Sequence, residues 1–469
     1  MKLKKFFICL FSFFISAVAV SQSLSDFAVL LEGYASNDTT RQSLELDKRS
    51  AFLSMQRYNI EAGTAFTIST GQTVIEFPDS GAQISARPGI TVGLPQLRNT
   101  SISAEVPLEY NGNDPPRAGV NVTARTDIFS GNAKSRQTGL EEKERQYIVA
   151  ARQLESHKLQ LQKEFWEDVR EIYGYRNDIY KAQEAIVLAR QDMETREAAG
   201  YTASSTVWRT TELKLRSRQR ELTEAERTYA RSLEEFARSC GIPVVVLPEV
   251  IPGQELADIS AFPQAGFSEL ESAEWNHYIN TMSRSASGRS FSLNGLAGYS
   301  LDRITQTSSV SGGVGISLPG VTLSSALSFP LDSSQNPALS ISLEWKPNGI
   351  RTHRIDNEIR EISGKKELLN IHIAKKNYYD TVLEYDRKKE DLEWQQEVYT
   401  EEFEVYKTHA GEQEQWYRAG IISETDYLQS QTEYKLAEYR LQALYIDCIL
   451  YNLDVALLFI PELSPEDLL

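Results

Sequence analysis

The chain has 469 residues, a net charge of −16 and three cysteines. The acidity disfavours nucleic acid and anionic lipid as partners. The cysteines show no CxxC or Cys/His spacing, which argues against a disulfide framework and a zinc site.

Lys2, Lys4 and Lys5 make a basic start, and Phe6 to Val20 is an apolar run ending in small residues at Ala17, Ala19 and Ser21. This predicts a secretory signal peptide over residues 1–21. Cys9 lies inside the apolar run, too early for a lipoprotein cleavage site. Beyond it, no uninterrupted apolar run reaches the roughly 18 residues of a transmembrane helix. The nearest approach, Ala443 to Ile460, is broken by Asp447, Asn452 and Asp454. The two acids, seven apart, share one helical face, so this reads as an amphipathic helix in a bundle. A secreted chain of this kind enters a membrane only as a closed β-barrel.

The rest is a duplication. Ala199-Gly200 and Ala419-Gly420 are 220 residues apart, Leu94-Pro95 and Leu318-Pro319 are 224 apart, and Pro107-Leu108 and Pro330-Leu331 are 223 apart. A first repeat, 22–241, reads as a helix (about Leu24 to Ile60), strands over about 64–130 and a long helical hairpin over about 132–240. An irregular linker, 242–266, follows. A second repeat, 267–469, reads as a shorter helix (about Phe267 to Ala286), strands over about 290–346 and a hairpin over about 350–459. The strands are read from period-two alternation, as in Ile90, Val92, Leu94 and in Leu339, Ile341, Leu343, Trp345, and from turn signals at Asn111-Gly112 and after Asp332.

The first helix of each hairpin is free of proline and about 65 residues long, which spans roughly 100 Å. Its apolar residues, such as Leu154, Leu161, Phe165 and Val169, form a narrow stripe with charged flanks. That suits an antiparallel hairpin in a thin wall wetted on both sides, not a solid bundle. Gly200 and Gly420 stand where a helix end needs a left-handed residue. Ser423 followed by Asp426 has capping-box spacing, and Ser204 or Ser205 is the matching cap on the other hairpin. In each repeat a helix arrives at the strands and another leaves in the opposite direction, so the strands are even in number, two or four per repeat. Four strands cannot enclose a lumen, whereas three chains would supply twelve.

The order helix, strands, long helix, Ala-Gly turn, return helix, all repeated, resembles the outer-membrane efflux protein family whose type member is TolC. The most specific segment is "WYRAGIISETDYLQSQTEYKLAEYRLQ", residues 416 to 442. The resemblance implies an α+β membrane protein whose long α-helical hairpins form a periplasmic tunnel and whose strands join a trimeric 12-stranded outer-membrane β-barrel. It implies a passive exit duct of a tripartite efflux or type I secretion system. The partners would be a homotrimer, a periplasmic adaptor, an inner-membrane transporter and outer-membrane lipid, with most of the chain in the periplasm and no cofactor.

By the same resemblance Tyr417, Asp426 and Gln429 are candidates for the periplasmic entrance. Ala199, Gly200, Ser204, Ala419, Gly420 and Ser423 are candidates for adaptor contact. The family's polar latch is mostly missing here: Gln429 stands at the second acid position, Ile422 at the arginine position, and Thr206 near that arginine's acid partner.

Other features read as structure. Gly312-Gly313-Val314-Gly315 lacks the helix a phosphate loop needs and lies in strand-like sequence. The five histidines have no ligand spacing and no Ser/His/Asp set is readable, so no enzyme is expected. The alternative is a secreted coiled-coil structural or adhesion protein, but coiled-coil stalks repeat heptads, not helix-strand-helix units.

Overall fold

A computed structural model describes residues 21–77, 83–111, 117–129, 132–248, 250–287, 291–302, 307–332 and 336–463. Residues 1–20 of the expected leader, Gly112 and residues 333–335 of the expected turns lie outside these described residues.

The helices are α1 (Ser21–Ser36), α2 (Thr39–Glu61), α3 (Asn132–Ala198), α4 (Thr206–Ser239), α5 (Ser268–Ser287), α6 (Pro347–Arg418) and α7 (Glu424–Leu458). The single first helix expected over Leu24 to Ile60 is thus two. The Asp38 carboxylate accepts from the amides of Thr40 and Arg41, both at 2.9 Å, and so caps a new helix start. The α6 helix begins at Pro347, a position where the missing N–H leaves no bond unmade.

The strands are β1 (Ala65–Ser69), β2 (Thr73–Glu76), β3 (Gln83–Ala86), β4 (Gly89–Leu94), β5 (Thr100–Glu105), β6 (Leu108–Asn111), β7 (Arg117–Phe129), β8 (Ser292–Asp302), β9 (Thr307–Leu318), β10 (Val321–Pro330) and β11 (Ala338–Trp345). They form one antiparallel sheet whose principal path runs β1-β4-β5-β7-β8-β9-β10-β11, with β2, β3 and β6 off that path. Each repeat places four strands on the path, an even number as the helix directions require. A twelve-stranded ring of three chains takes four strands from each; the path here holds eight. The Gly312–Gly315 run lies within β9.

The chain divides into two compact units that cut across the repeats. The described residues of the first fall in Met1–Glu45, Arg152–Ser268 and Asn377–Leu469, and those of the second in Leu46–Ala151 and Glu269–Lys376.

The first unit is helical. Its core gathers Phe27, Phe165, Val169, Ile172, Phe236, Ile251, Tyr439 and Ile446 from α1, α3, α4, α7 and the linker. Asp447 pairs with Arg170, and Asp454 pairs with Lys163 at 2.9 Å, so the acids that interrupt the apolar run of α7 mark its charged side. The irregular backbone of the linker is satisfied by polar side chains of α7. The Ile251 amide donates to Gln442 Oε1 (2.5 Å) and the Ala257 amide to Asn452 Oδ1 (2.7 Å). A buried irregular segment must find such partners, since helix and sheet ladders do not supply them. Cys240 and Cys448 are buried free thiols in this unit.

The second unit holds the sheet together with parts of α2, α3 and α6 and most of α5. Phe52 meets Tyr147 with ring centroids 5.4 Å apart, and the Tyr58 hydroxyl donates to the Arg136 carbonyl at 3.2 Å. Arg145 clasps both oxygens of Glu271, and Arg284 reaches Glu367 at 2.6 and 3.0 Å.

Candidate functional site

Two regions carry residues that the packing of the chain leaves available. They lie in different units and are taken separately.

The first is one face of the sheet. Paired residues in adjacent strands, and residues two apart along a strand, point to the same side. One row across the whole path reads Phe66, Val92, Ile102, Ala124, Ala297, Gly312, Leu327, Leu339. A second row on the same face reads Ile68, Ile90, Ala104, Val122, Tyr299, Val310, Phe329. Between them, on the opposite face, lies a row of Thr67, Thr91, Ser103, Thr123, Gly298, Ser311, Ser328 and Ala338.

One face is therefore apolar and the other polar or small. No part of the described chain covers the apolar face: Phe66, Ile68, Ile90, Ile102, Val310, Phe329, Leu339 and Ile341 are all exposed. Along β10 that face runs from Val321 to Phe329, eight steps, or about 27 Å at roughly 3.4 Å per residue. Trp345, paired with Val321, stands at one end of the band. Among the described residues β1 and β11 each pair on one side only, so the sheet has two open edges.

The second region is the pair of hairpin turns in the helical unit. Gly200 and Gly420 adopt φ of +84° and +72°. At each turn two amides close back on the helix end: Gly200 to Glu197 and Tyr201 to Arg196, Gly420 to Tyr417 and Ile421 to Trp416. This is the glycine-terminated helix end that the Ala-Gly pairs of the sequence imply. Ser205, not Ser204, caps α4 by accepting from the Trp208 amide, while Ser204 bonds Thr202 at 2.8 Å. Ser423 caps α7. Its Oγ accepts from the Asp426 amide at 3.1 Å and donates to the Asp426 carboxylate at 2.7 Å. Asp426 is exposed.

The entrance candidates do not converge on one network. Gln429 donates to Glu433 one turn along its own helix, at 3.0 Å. Tyr417 stacks on Tyr427 of the return helix, with centroids 4.8 Å apart and planes 5° from parallel. Thr425, absent from the sequence-based candidates, is buried and donates to Glu194 of the other hairpin at 3.0 Å. A hydroxyl in a polar first turn gives no sign of which distant acid it will meet. Among the described residues no group of His, Cys, Asp and Glu is arranged to hold a metal ion.

Residues 30–245 match the TP096X N-terminal domain and residues 252–462 match the TP096X C-terminal domain. An uncharacterized protein of Treponema pallidum (strain Nichols) is 20% identical over 389 residues, covering 80% of this chain and 70% of the relative. Among solved structures, a membrane protein from Pseudomonas aeruginosa is similar at a TM-score of 0.50 and 13% identity, over 91% of this chain and 89% of that one. The chain shares its fold, long helices joined to an antiparallel sheet. CusC (TM-score 0.47, 11% identity, 93% of this chain and 92% of that one) and the Campylobacter jejuni CmeC outer membrane channel (0.46, 11%, 93% and 86%) are also similar.

Proposed function

We propose that this chain, which belongs to the TP096X family through both of its matched domains, is the outer-membrane channel component of an export system. The observation that carries this reading is the uncovered apolar face spanning eight strands. Contiguous apolar surface of that extent has to be buried against something; its length of about 27 Å along a strand, at the roughly 35–45° tilt of barrel strands, gives a band about 20 Å tall, comparable to the apolar band of a membrane barrel, about 25 Å. The polar row behind it then lines water. Open edges cannot persist in hydrocarbon, so the sheet closes with further copies, three in our reading.

The channel does no chemistry. It lowers a permeability barrier for cargo delivered by an inner-membrane transporter through a periplasmic adaptor, and most of the chain stands in the periplasm. The adaptor docks at the turns carrying Ala199, Gly200, Ser204, Ala419, Gly420 and Ser423, which are small and therefore allow close backbone approach. Tyr417, Asp426 and Gln429 belong to the entrance.

The test is extraction and reconstitution of the full-length protein. A channel stays in the membrane until detergent is added, runs as a trimer in native mass measurements and conducts ions in planar bilayers. Recovery as a soluble species without detergent would replace this reading with the coiled-coil structural or adhesion alternative.

A further inference from the structure

The three strands off the principal path continue strands that lie on it. The register does not change between β5 and β6: Glu105 faces Asn121 of β7 and Leu108 faces Ala118, three positions on in both strands. The same holds between β4 and β3, where Gly89 faces Glu105 and Ala86 faces Leu108. The two breaks are prolines. Pro88 and Pro107 have no N–H to give to a ladder, but their carbonyls keep the register by accepting from the Val106 and Gly119 amides, both at 2.8 Å. Between β1 and β2 one extra residue intervenes, since Ser69 to Thr73 is four steps against three from Gly89 to Ala86. This is a bulge, and Gly71 supplies a left-handed residue in it at φ +62°.

Ala65–Glu76, Gln83–Leu94 and Thr100–Asn111 are thus single strands of twelve residues, beside the 13 of β7. Their separate halves, of four to six residues, are too short for a membrane strand, which takes about 9–11. The joined strands are long enough.

The joined strands also keep one apolar side. Ile84, Ala86, Pro88, Ile90, Val92 and Leu94 alternate along the second without exception, and Ile102, Ala104, Val106, Leu108 and Tyr110 along the third. In the first, the bulge moves the apolar positions from even numbers (Phe66, Ile68) to odd (Ile75), and Ile75 still pairs with Ile84. Ile75, Ile84, Leu108 and Tyr110 are exposed. The reverse side carries Glu76, Gln83, Ser85 and Glu109 opposite Arg117, with Val74 its one apolar member among the described residues. On β4 alone the apolar band runs from Ile90 to Leu94, about 14 Å. Joined to β3 it runs from Ile84 to Leu94, about 34 Å along the strand, or about 26 Å tall at the tilt of barrel strands.

We propose that β2, β3 and β6 are the outer halves of membrane strands, and that the occupant of their apolar face is lipid hydrocarbon in the half of the bilayer away from the helices. Two observations favour lipid over a protein partner. The face is continuous with the apolar face of the principal path, and the band of the first repeat reaches membrane height only when these strands are included. Each repeat then supplies four full-length strands. This rests on the channel reading, which puts the path in lipid but leaves these three strands beside it.

Single-cysteine labelling of the full-length protein in vesicles tests it. The two native thiols beyond residue 21 are buried and set the background. An environment-sensitive fluorophore is attached at Ile84→Cys, Leu108→Cys or Ser85→Cys, with Ile341→Cys as the reference on the path. The vesicles are phosphatidylcholine with or without nitroxide on the acyl chains. Ile84→Cys and Leu108→Cys are expected to be quenched by the nitroxide as strongly as Ile341→Cys. Ser85→Cys, on the reverse side, is expected to be quenched little and to react with a water-soluble thiol reagent. Ile84 and Leu108 lie in neighbouring strands, so a folding defect in one variant leaves the other to decide. Quenching at Ile341→Cys with none at Ile84→Cys and Leu108→Cys would put the outer halves in water or against protein, overturning the proposal while the channel stands. Quenching of Ser85→Cys as strong as that of Ile84→Cys would overturn it too, because the strands would then have no lipid side. No quenching at any position would remove the channel reading as well.

Discussion

Asp168 lies half-buried in the helical unit, where its carboxylate accepts from the Tyr34 hydroxyl at 3.1 Å. Burial raises its pKa; the Tyr34 hydrogen bond opposes this, and Glu171, Glu164 and Glu167 add to it. A carboxyl with a raised folded pKa holds its proton more tightly in the native state, so stability falls as pH rises from the unfolded value through the folded one. Asp168→Asn keeps an acceptor for Tyr34 and removes the charge. Its melting temperature is expected to exceed the parent's at neutral pH, and the gap is expected to close below about pH 4, where the unfolded carboxyl also binds its proton. At the tip, Gly420 has open space around an added Cβ but a left-handed φ. Gly420→Ala is therefore expected to cost about 1–2 kcal/mol from backbone conformation alone, read as faster amide exchange at the turn; if the proposed adaptor docks there, a bulky replacement is expected to abolish export while the proposed trimer still assembles. Asp426→Asn separates capping from charge, because Asn also caps. If three Asp426 carboxylates ring the entrance, the variant loses cation selectivity in planar bilayers with little change in stability; unchanged selectivity would place Asp426 outside the pore.

At the level of the strand, alternation makes neighbouring positions opposite in environment. Ile341 belongs to the apolar face of β11, while Ser342 pairs with Ser324 on the polar one. Ile341→Arg is expected to destabilise the proposed barrel by about 2–4 kcal/mol if it meets the bilayer midplane, whereas Ser342→Arg, on the face proposed to line water, should be tolerated. Refolding equilibria in lipid vesicles distinguish the two. Equal tolerance of both arginines would show that the face is not in lipid. The helices obey a similar economy. The α7 helix keeps Gln442 and Asn452 among apolar residues because the linker needs acceptors for its amides at 2.5 and 2.7 Å. Gln442→Leu leaves the buried Ile251 amide without that acceptor, which is expected to cost about 1–3 kcal/mol and to lower the melting temperature of the helical unit.

For the whole molecule, the proposed channel would be held closed by whatever its proposed entrance residues offer. The polar latch of the resembling family is largely replaced here, and Tyr417 stacks on Tyr427 inside its own hairpin. Packing of this sort is insensitive to ionic strength, whereas exposed charge pairs are screened. Channel opening in bilayers is therefore expected to change little between low and high salt and to increase in Tyr417→Ala. A steep salt dependence would instead point to ion pairs between subunits.

The sequence by itself determined the elements whose causes are local. Missing prolines, Ala-Gly ends and a serine cap fix the hairpins and their turns, because each of those signals acts within one helical turn. The duplication and the period-two alternation likewise announced strands and their two faces. Other features depended on partners distant in sequence. The break between α1 and α2 needed the Asp38 side chain to turn back on its own following amides instead of facing solvent, a choice open to any helical aspartate. Four strands of each repeat on the path, with β2, β3 and β6 beside it, follow from which short segments pair, and several registers satisfy the same alternation. The clearest case is the apolar stripe. Leu154, Leu161, Phe165 and Val169 of α3 and Ile355, Ile359, Ile362 and Leu369 of α6 have the same kind of spacing, yet the first set is core and the second is open. Periodicity tells which side of a helix seeks a partner; only the tertiary structure decides whether the same chain supplies it, because burial is a property of the neighbours and not of the helix.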